Sequence, residues 1–349
     1  MALAWTVAII ILVAMVVYAL LGGADFGAGV WDLLASGPRA RKQRELVALS
    51  IGPVWEANHV WLIVIVVLLF TCFPPAFAVL MTALHVPVAL ALLGILARAS
   101  SYVFRNYHVS GDKVQARWSL VFSVASIITP ILLGVVVGAV STGRIRAAPE
   151  ENFLVLTGYF DSWVHPFPFA VGLFALSLFA FLAAVYMTRE TVDPELQDDF
   201  RRRALMAQIA VVVFGVVAAI VSRLSEHEPF HQTLLSGTWS WLFFAGACAA
   251  AIVSTALLVT RRYRLGRIVA GAEVTAVVVG WGVAQAPFLV APDVTIENAA
   301  APAVTMRLIV IILGVGALTL LPSLYWLYRV FKREPAFEAM SRERTSGEL

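Results

Sequence analysis

The sequence predicts an all-α polytopic membrane protein with nine transmembrane helices. Of its 349 residues, 60% are hydrophobic and only 13% are charged, and the apolar residues form long unbroken runs such as 60–70 and 209–221. A soluble domain carries about 25% charged residues, so this chain has too few to cover a water-exposed surface. Disordered chains have low hydrophobicity, and transmembrane β-strands alternate apolar and polar residues, so both classes are excluded.

Nine apolar segments are long enough to cross a bilayer, which takes about 20 helical residues. We predict spans at residues 4–34, 50–71, 76–104, 117–141, 164–188, 204–222, 236–260, 267–288 and 304–331. The first span follows no basic segment, so we interpret it as a retained helix and not as a cleaved signal.

Basic residues in the connecting segments alternate between the two sides of the membrane. One side receives five basic segments, namely 35–49, 105–117, 189–203, 261–267 and the tail from 329 onward. These segments hold twenty of the 25 Lys and Arg residues, and the segments of the other side hold four. Basic residues favour the cytoplasmic side, which predicts an external N-terminus and a cytoplasmic tail at 332–349. The pI of about 9.0 therefore reflects topology and not a nucleic-acid partner.

Four polar residues at membrane depth are the candidate functional residues: Asp25, Glu56, His59 and Arg98. A charged side chain near a helix centre costs roughly 2.5–3.5 kcal/mol on insertion scales, so such residues face an interior and often mark ion or proton paths. Asp25 lies in the glycine-rich segment 22–29, where small residues let another backbone approach closely. Glu56 and His59 are spaced i, i+3 and share a helix face. We expect the two acids and the histidine to line one pocket open to the cytoplasm, with the arginine at the same depth.

The residues alone leave three interpretations of this cluster open. It is a structural polar network between helices, a path for protons or ions, or a metal site. The metal site is the least favoured, because di-iron bundles use Glu-x-x-His twice and Glu56–His59 is a single copy. We expect His85 to be a hydrogen-bonded core histidine and not a haem ligand. Glu273 is a second buried acid with no evident partner in the sequence.

Several motifs in order resemble subunit II of cytochrome bd-type quinol oxidases. They are the runs at 22–31 and 52–61, the Arg-…-Phe-Arg end of helix three at 98–105, Thr-Pro-Ile-Leu-Leu-Gly at 129–134, His-Pro-Phe at 165–167, the segments 281–287 and 292–296, and Leu-Pro-Ser at 321–323 with 329–332. Each motif is short, but together they extend over roughly 310 residues. Asp25 and Glu56 match the family's acidic positions in helices one and two.

The resemblance implies a single membrane domain, residues 1–349, in which two four-helix bundles at 4–141 and 164–288 precede a peripheral helix at 304–331. It implies a haem-bearing subunit I as partner, with haem b and haem d, where quinol is oxidised and O₂ is reduced to water. This chain is expected to bind no haem itself, and a structural quinone, membrane lipids and a small single-helix subunit are further candidate ligands and partners. The expected location is the bacterial cytoplasmic membrane.

The leading hypothesis is therefore an accessory subunit of a quinol:O₂ oxidoreductase. It stabilises subunit I and supplies a cytoplasmic proton path through Asp25, Glu56, His59 and Arg98. The alternatives are a proton-coupled secondary transporter and a purely structural membrane subunit. Transporters often carry paired broken helices in two repeats, whereas the glycine-rich acidic motif occurs once in this sequence.

Overall fold

The computed structural model describes residues 1–52, 54–107, 112–224 and 238–331. The α-helices within these ranges are α1 (Ala2–Leu33), α2 (Ala40–Ile51), α3 (Trp55–Cys72), α4 (Pro74–Ala83), α5 (His85–Tyr107), α6 (Asp112–Ser141), α7 (Pro166–Met187), α8 (Pro194–Leu224), α9 (Thr238–Val259), α10 (Tyr263–Gln285) and α11 (Ala303–Phe331). Two antiparallel pairs of short strands, β1 (Ala147–Ala148) with β2 (Leu154–Val155) and β3 (Phe288–Val290) with β4 (Val294–Thr295), lie between helices. The predicted tail at 332–349 lies outside the described residues.

Within the described ranges, nine helices are long and apolar enough to cross a membrane. They are all the helices named above except α2 and α4. The prediction of an all-helical, multi-pass membrane protein is confirmed. The division into two bundles and the orientation of the termini stay predictions.

The third predicted span, 76–104, is broken in the structure into two helices. Helix α4 ends at Ala83 and α5 begins at His85. Pro87 explains this break, because proline has no N–H to donate and its ring clashes with the carbonyl group four residues earlier, here that of Ala83. The membrane-spanning part is α5, and α4 is a short additional helix of ten residues.

Two polar segments that the sequence left outside the spans are helical. Helix α2 occupies most of the predicted connection 35–49; its basic residues are exposed, whereas Leu46 and Val47 are buried. Helix α8 begins at Pro194, ten residues before the predicted span at 204, and it carries Glu195 in its first turn. Acidic side chains are favourable at a helix N-terminus. A prediction based on apolar runs misses such extensions.

Helix α1 is the centre of the packing and contacts α3, α6, α7 and α10. The glycines of its second half allow this, because a Cβ atom on Gly27 would collide with the backbone of Phe179 in α7. Helices α6 and α7 also approach closely, since a Cβ atom on Gly134 would lie 2.7 Å from the Cα atom of Gly172. The expected close backbone approach at the 22–29 segment is therefore present.

A group of arginines lies at one end of the helix bundle, before α2, at the start of α8 and around the start of α10. We call this end the arginine-rich face: Arg39, Arg201, Arg203, Arg261, Arg264 and Arg267. There Arg39 donates to both carboxylate oxygens of Asp199, at 2.8 and 2.7 Å, and Gln43 donates to the same carboxylate at 2.8 Å. The hydrogen bond to Asp199 raises the pKa of Arg39 above its ordinary value. Arg203 donates to Gln43 at 2.6 Å, so these contacts tie the start of α2 to α8. At the opposite face, Arg146 pairs with Asp293 at 2.8 Å.

Candidate functional site: a buried acid between the first helices

Asp25 lies in the second half of α1, and its residue is only 6% exposed. Its carboxylate accepts a hydrogen bond of 2.6 Å from the side-chain amide of Asn58 in α3. The amide oxygen of Asn58 in turn accepts a hydrogen bond from the hydroxyl group of Tyr328 in α11. Three helices therefore meet at one chain of polar side chains, with the acid at its inner end.

Arg98 is buried next to Asp25, at 2% exposure, on α5. Its guanidinium donates to the main-chain carbonyl oxygen of Asp25 at 3.1 Å and to the hydroxyl oxygen of Ser126 at 3.1 Å. Its Cζ atom also lies 5.0 Å from the ring centre of Phe26 and 5.1 Å from that of Phe122. Cation–π contacts and hydrogen bonds together replace the water that a buried cation loses. The structure thus places a positive charge beside Asp25, held through backbone and aromatic contacts.

His59 lies half-buried on α3 among aromatic rings. Its ring centre is 5.9 Å from that of Tyr18, 5.7 Å from that of Phe26 and 6.2 Å from that of Trp55. Its Nδ1 atom is 3.5 Å from the hydroxyl oxygen of Tyr18. His59 therefore packs against Phe26, the residue that follows Asp25. The aromatic rings connect the histidine to the region of the acid.

Glu56 does not join this group and is exposed on the surface of the chain. Helical residues advance by about 100° each, so a side chain two positions from Asn58 points to the opposite side of α3. Asn58 faces α1, which turns Glu56 away from Asp25. The expected shared pocket of Asp25, Glu56 and His59 therefore lacks Glu56, and Asn58 occupies the place that we assigned to the second acid.

Sequence reasoning missed the polar partners of Asp25. Asn58 lies inside the segment that drew attention to Glu56 and His59, and a polar amide in an apolar span was a usable signal. Tyr328 could not be found in this way, since it is 270 residues away from Asn58 along the chain. Ser126, the partner of Arg98, resembles any small residue of a tightly packed helix.

Glu273, which had no evident partner in the sequence, has two in the structure. Gln208 donates to one of its carboxyl oxygens at 2.8 Å, and the hydroxyl group of Ser254 lies 3.0 Å from the other. Helices α8, α9 and α10 thus share a buried polar contact. His85 differs from the expected core histidine, because it is exposed, although its Nδ1 atom lies 3.0 Å from the carbonyl oxygen of Thr82.

A cavity of about 50 Å³ lies beside Asp25. This volume is far below the roughly 300–1,000 Å³ of small-molecule and cofactor sites, so its residues do not fit a haem group. Among the described residues, no three or more His, Cys, Asp or Glu side chains are grouped where they could hold a metal ion. The arrangement instead suits proton chemistry, with a carboxylate, an amide and a phenol in hydrogen-bond order.

Comparison with known proteins settles the family of this chain. The family model for cytochrome bd terminal oxidase subunit II matches residues 3–331. The chain belongs to this family. It is one component of an oxidase complex that also contains a subunit I, and the prediction of a quinol oxidase subunit is confirmed.

Relatives of this subunit II family member cover most of the chain at low identity. The putative cytochrome bd menaquinol oxidase subunit II of Bacillus subtilis is 24% identical over 331 residues, which is 92% of this chain and 93% of that protein. The cytochrome bd-I ubiquinol oxidase subunit 2 of Escherichia coli K12 is 23% identical over 66% of this chain and 63% of that protein. The structure of bd oxidase from Geobacillus thermodenitrificans matches with a TM-score of 0.77 and 21% identity, covering 95% of this chain and 99% of that one.

Proposed function

We propose that this subunit stabilises a haem-bearing subunit I and supplies a proton path to it from the cytoplasm. The relatives named above are menaquinol and ubiquinol oxidase subunits, which supports a quinol as the electron donor of the complex. The haems of subunit I supply the electron transfer and oxygen chemistry. The arginine-rich face is the cytoplasmic side of the bacterial cell membrane in this proposal, because basic residues favour that side.

The observation that most supports this proposal is the buried Asp25, whose carboxylate accepts a hydrogen bond from the amide of Asn58. A carboxyl group at membrane depth that is hydrogen-bonded to Asn58 can accept and release a proton while its position stays fixed. Arg98 beside it supplies a permanent positive charge, which moderates the cost of the ionised carboxylate in the membrane. Asp25 is therefore the relay in this proposal, and Arg98 orients it.

His59 and Glu56 have different places in the proposal. His59 is the next titratable side chain along α3 and lies against Phe26, so it extends the path along the helix. Glu56 is exposed and makes no hydrogen bond or ion pair with another described residue. A carboxyl group on a membrane-facing helix surface is costly in lipid, so we place Glu56 where a neighbouring subunit covers it.

The resemblance to the family supports three finer proposals that the residues do not test. They are the division into bundles at 4–141 and 164–288 with α11 as the peripheral helix, a structural quinone, and a small single-helix subunit. Among the described side chains of α11, Met306 alone is buried, which supports a peripheral position for this helix.

The test is purification of the complex through a tag on this chain. We expect a haem-rich partner with d-type absorbance, and a pure haem-free protein without a partner would overturn the assignment. In the same preparation, Asp25→Asn is expected to lower quinol-driven oxygen consumption on the order of 10- to 100-fold with haem content retained.

The variants distinguish a proton relay from a structural network. An unchanged rate in Asp25→Asn removes the relay role. Loss of the whole complex in that variant favours a structural subunit, because disruption of a buried polar network is strongly destabilising. Arg264→Lys is a matched control, since it conserves charge at an exposed position of the arginine-rich face.

A further inference from the structure

The cavity beside Asp25 extends from the relay to the arginine-rich face. Asp25 and Asn58 line its inner end, and Glu190 and Arg267 line its other end. It lies between α1, α2, α3, α7, α10 and α11. Two carboxyl groups therefore line one cavity, one at membrane depth and one at the bundle end.

Glu190 is held close to the end of α7, where its main-chain N–H donates to the carbonyl oxygen of Met187 at 3.2 Å. The residue is only 5% exposed, although it belongs to the polar connection between α7 and α8. Most acids of such a connection face water. In the structure this residue is instead part of the cavity wall.

Arg267 forms the boundary between the cavity and solvent. It is exposed near the start of α10, and its guanidinium lies 4.6 Å from the ring centre of Tyr186, which also lines the cavity. A guanidinium remains charged at any working pH, so it holds water and anionic oxygens at this end without taking part in proton exchange. The group that can exchange a proton at this end is the carboxyl group of Glu190.

The volume of about 50 Å³ suits water. One water takes about 30 Å³ in the liquid, and a buried water needs two to four polar partners. The lining residues include four with polar side chains, namely Asp25, Ser50, Asn58 and Tyr328. The cavity is therefore large and polar enough to hold water between the two acidic residues.

Tyr328 fixes the orientation of Asn58 at the inner end. An asparagine amide has an acceptor side and a donor side, and the two are interchanged by a half-turn of the side chain. The hydroxyl group of Tyr328 donates to the oxygen of Asn58, which leaves the NH₂ group toward Asp25 at 2.6 Å. The Tyr328 hydroxyl group therefore adds to the preference that the acceptor oxygens of the carboxylate already give to this orientation.

We propose that Glu190 is the group through which protons reach Asp25 from the arginine-rich face, across the cavity that both side chains line, with Tyr328 as the positioning residue for Asn58. This inference rests on the proposed relay role of Asp25. In each step a proton moves from the Glu190 carboxyl group through water to the Asp25 carboxylate, and Glu190 is reprotonated from bulk water.

The experiment uses the tagged complex in vesicles, with quinol-driven oxygen consumption and proton uptake followed together. We expect Glu190→Gln to lower the maximal rate about tenfold or more, with the quinol KM and the haem spectrum unchanged. Glu190→Asp should recover part of the rate because it restores the carboxyl group. Tyr328→Phe should lower the rate roughly threefold, as expected for one lost hydrogen bond. Glu195→Gln, at an exposed acid of the same face, is the matched control and should leave the rate unchanged.

A second variant tests the cavity without removing a charge. Ala24 lines the cavity, and Ala24→Val places two more methyl groups there. We expect slower turnover with full haem content, and a wild-type rate in this variant would contradict the water path.

The outcomes separate this inference from the proposed function. Slow Asp25→Asn together with a wild-type rate in Glu190→Gln overturns the inference alone. Wild-type rates in both variants overturn the relay role and the inference together. Loss of haem in Glu190→Gln also overturns the inference, because it shows that the carboxyl group serves assembly.

Discussion

The side-chain amide of Asn58 donates a 2.6 Å hydrogen bond to the carboxylate of Asp25, although the two residues lie on different membrane-spanning helices. Both residues are nearly inaccessible, at 2% and 6% exposure. A buried carboxylate that loses a hydrogen-bond donor has less to offset its cost of desolvation. The contact therefore links the packing of α1 on α3 to the chemistry of the acid.

Asn58→Leu tests this link. We expect it to lower the free energy of unfolding by about 1–3 kcal/mol, because the Asp25 carboxylate and the Tyr328 hydroxyl group both lose their hydrogen bond to Asn58. Oxygen consumption should fall in the same variant. The measurements are thermal unfolding of the purified complex in detergent and its turnover. Ile63→Leu, at an exposed apolar position of the same helix, should change neither. A variant as stable and as active as wild type would show that the contact is unimportant.

Arg98→Lys tests whether the planar guanidinium group of the buried arginine, and not its charge alone, stabilises the protein. Lysine keeps the charge but cannot donate along the two directions that reach Asp25 and Ser126, nor stack its charge as a plane on the aromatic rings. We expect the midpoint of thermal unfolding to fall in the order wild type, Arg98→Lys, Arg98→Met, since the second substitution also removes the cation. An equal midpoint in wild type and Arg98→Lys would mean that only the charge matters.

The sequence predicted the helices of this chain better than the contacts between them. Long apolar runs identify the spans, because a single segment in lipid can pair its backbone N–H and C=O groups with each other only as a continuous helix. They do not show how far polar turns continue a helix, so α2 and the first turns of α8 were missed. Pro87 was visible in the sequence, but the apolar residues around it concealed the break.

The site was predicted in part, for a reason that helical geometry explains. Charge at membrane depth singles out Asp25 and Arg98 without any structure. The spacing of Glu56 and His59 shows that they share a face, but it does not show which face of α3 meets α1. Residues 56 to 59 cover every side of α3 within one turn, so either face could have met α1. In the structure Asn58 is the side chain that faces Asp25. Long-range partners such as Tyr328 follow only from the packed structure.

Arg39 and Asp199 should be coupled at the arginine-rich face. Their two hydrogen bonds form a bidentate pair, with side-chain exposures of 35% and 15%. We expect a double-mutant cycle of Arg39→Ala and Asp199→Ala to give a small favourable coupling, because the geometry is bidentate and Gln43 joins it. The coupling should weaken in high salt. Unfolding in a denaturing detergent series measures it, and additive single effects would contradict it.

Glu273 should tolerate an amide but not truncation. Glu273→Gln keeps polar atoms beside Gln208 and Ser254, whereas Glu273→Ala leaves both groups buried without this partner. The expected loss in Glu273→Ala is about 1–3 kcal/mol of stability for the unpaired groups, and a smaller one in Glu273→Gln. Thermal unfolding of the two variants measures the difference, and the reverse order would contradict a structural role for this cluster.

Gly27 and Gly314 offer a matched pair of helical glycines whose substitution should have opposite effects. Alanine is favoured over glycine inside a helix by about 1 kcal/mol, so Gly314→Ala, with nothing within 4 Å of the added Cβ atom, should be neutral or stabilising. At Gly27 the same methyl group meets the backbone of Phe179, which cannot move without separating α1 from α7. We expect Gly27→Ala to destabilise the complex in thermal unfolding despite its better helix propensity. Because Asp25 lies two residues earlier on the same helix, a shift of α1 should also lengthen its contact with Asn58 and lower turnover. Equal effects of the two substitutions would show that α1 and α7 are not in backbone contact.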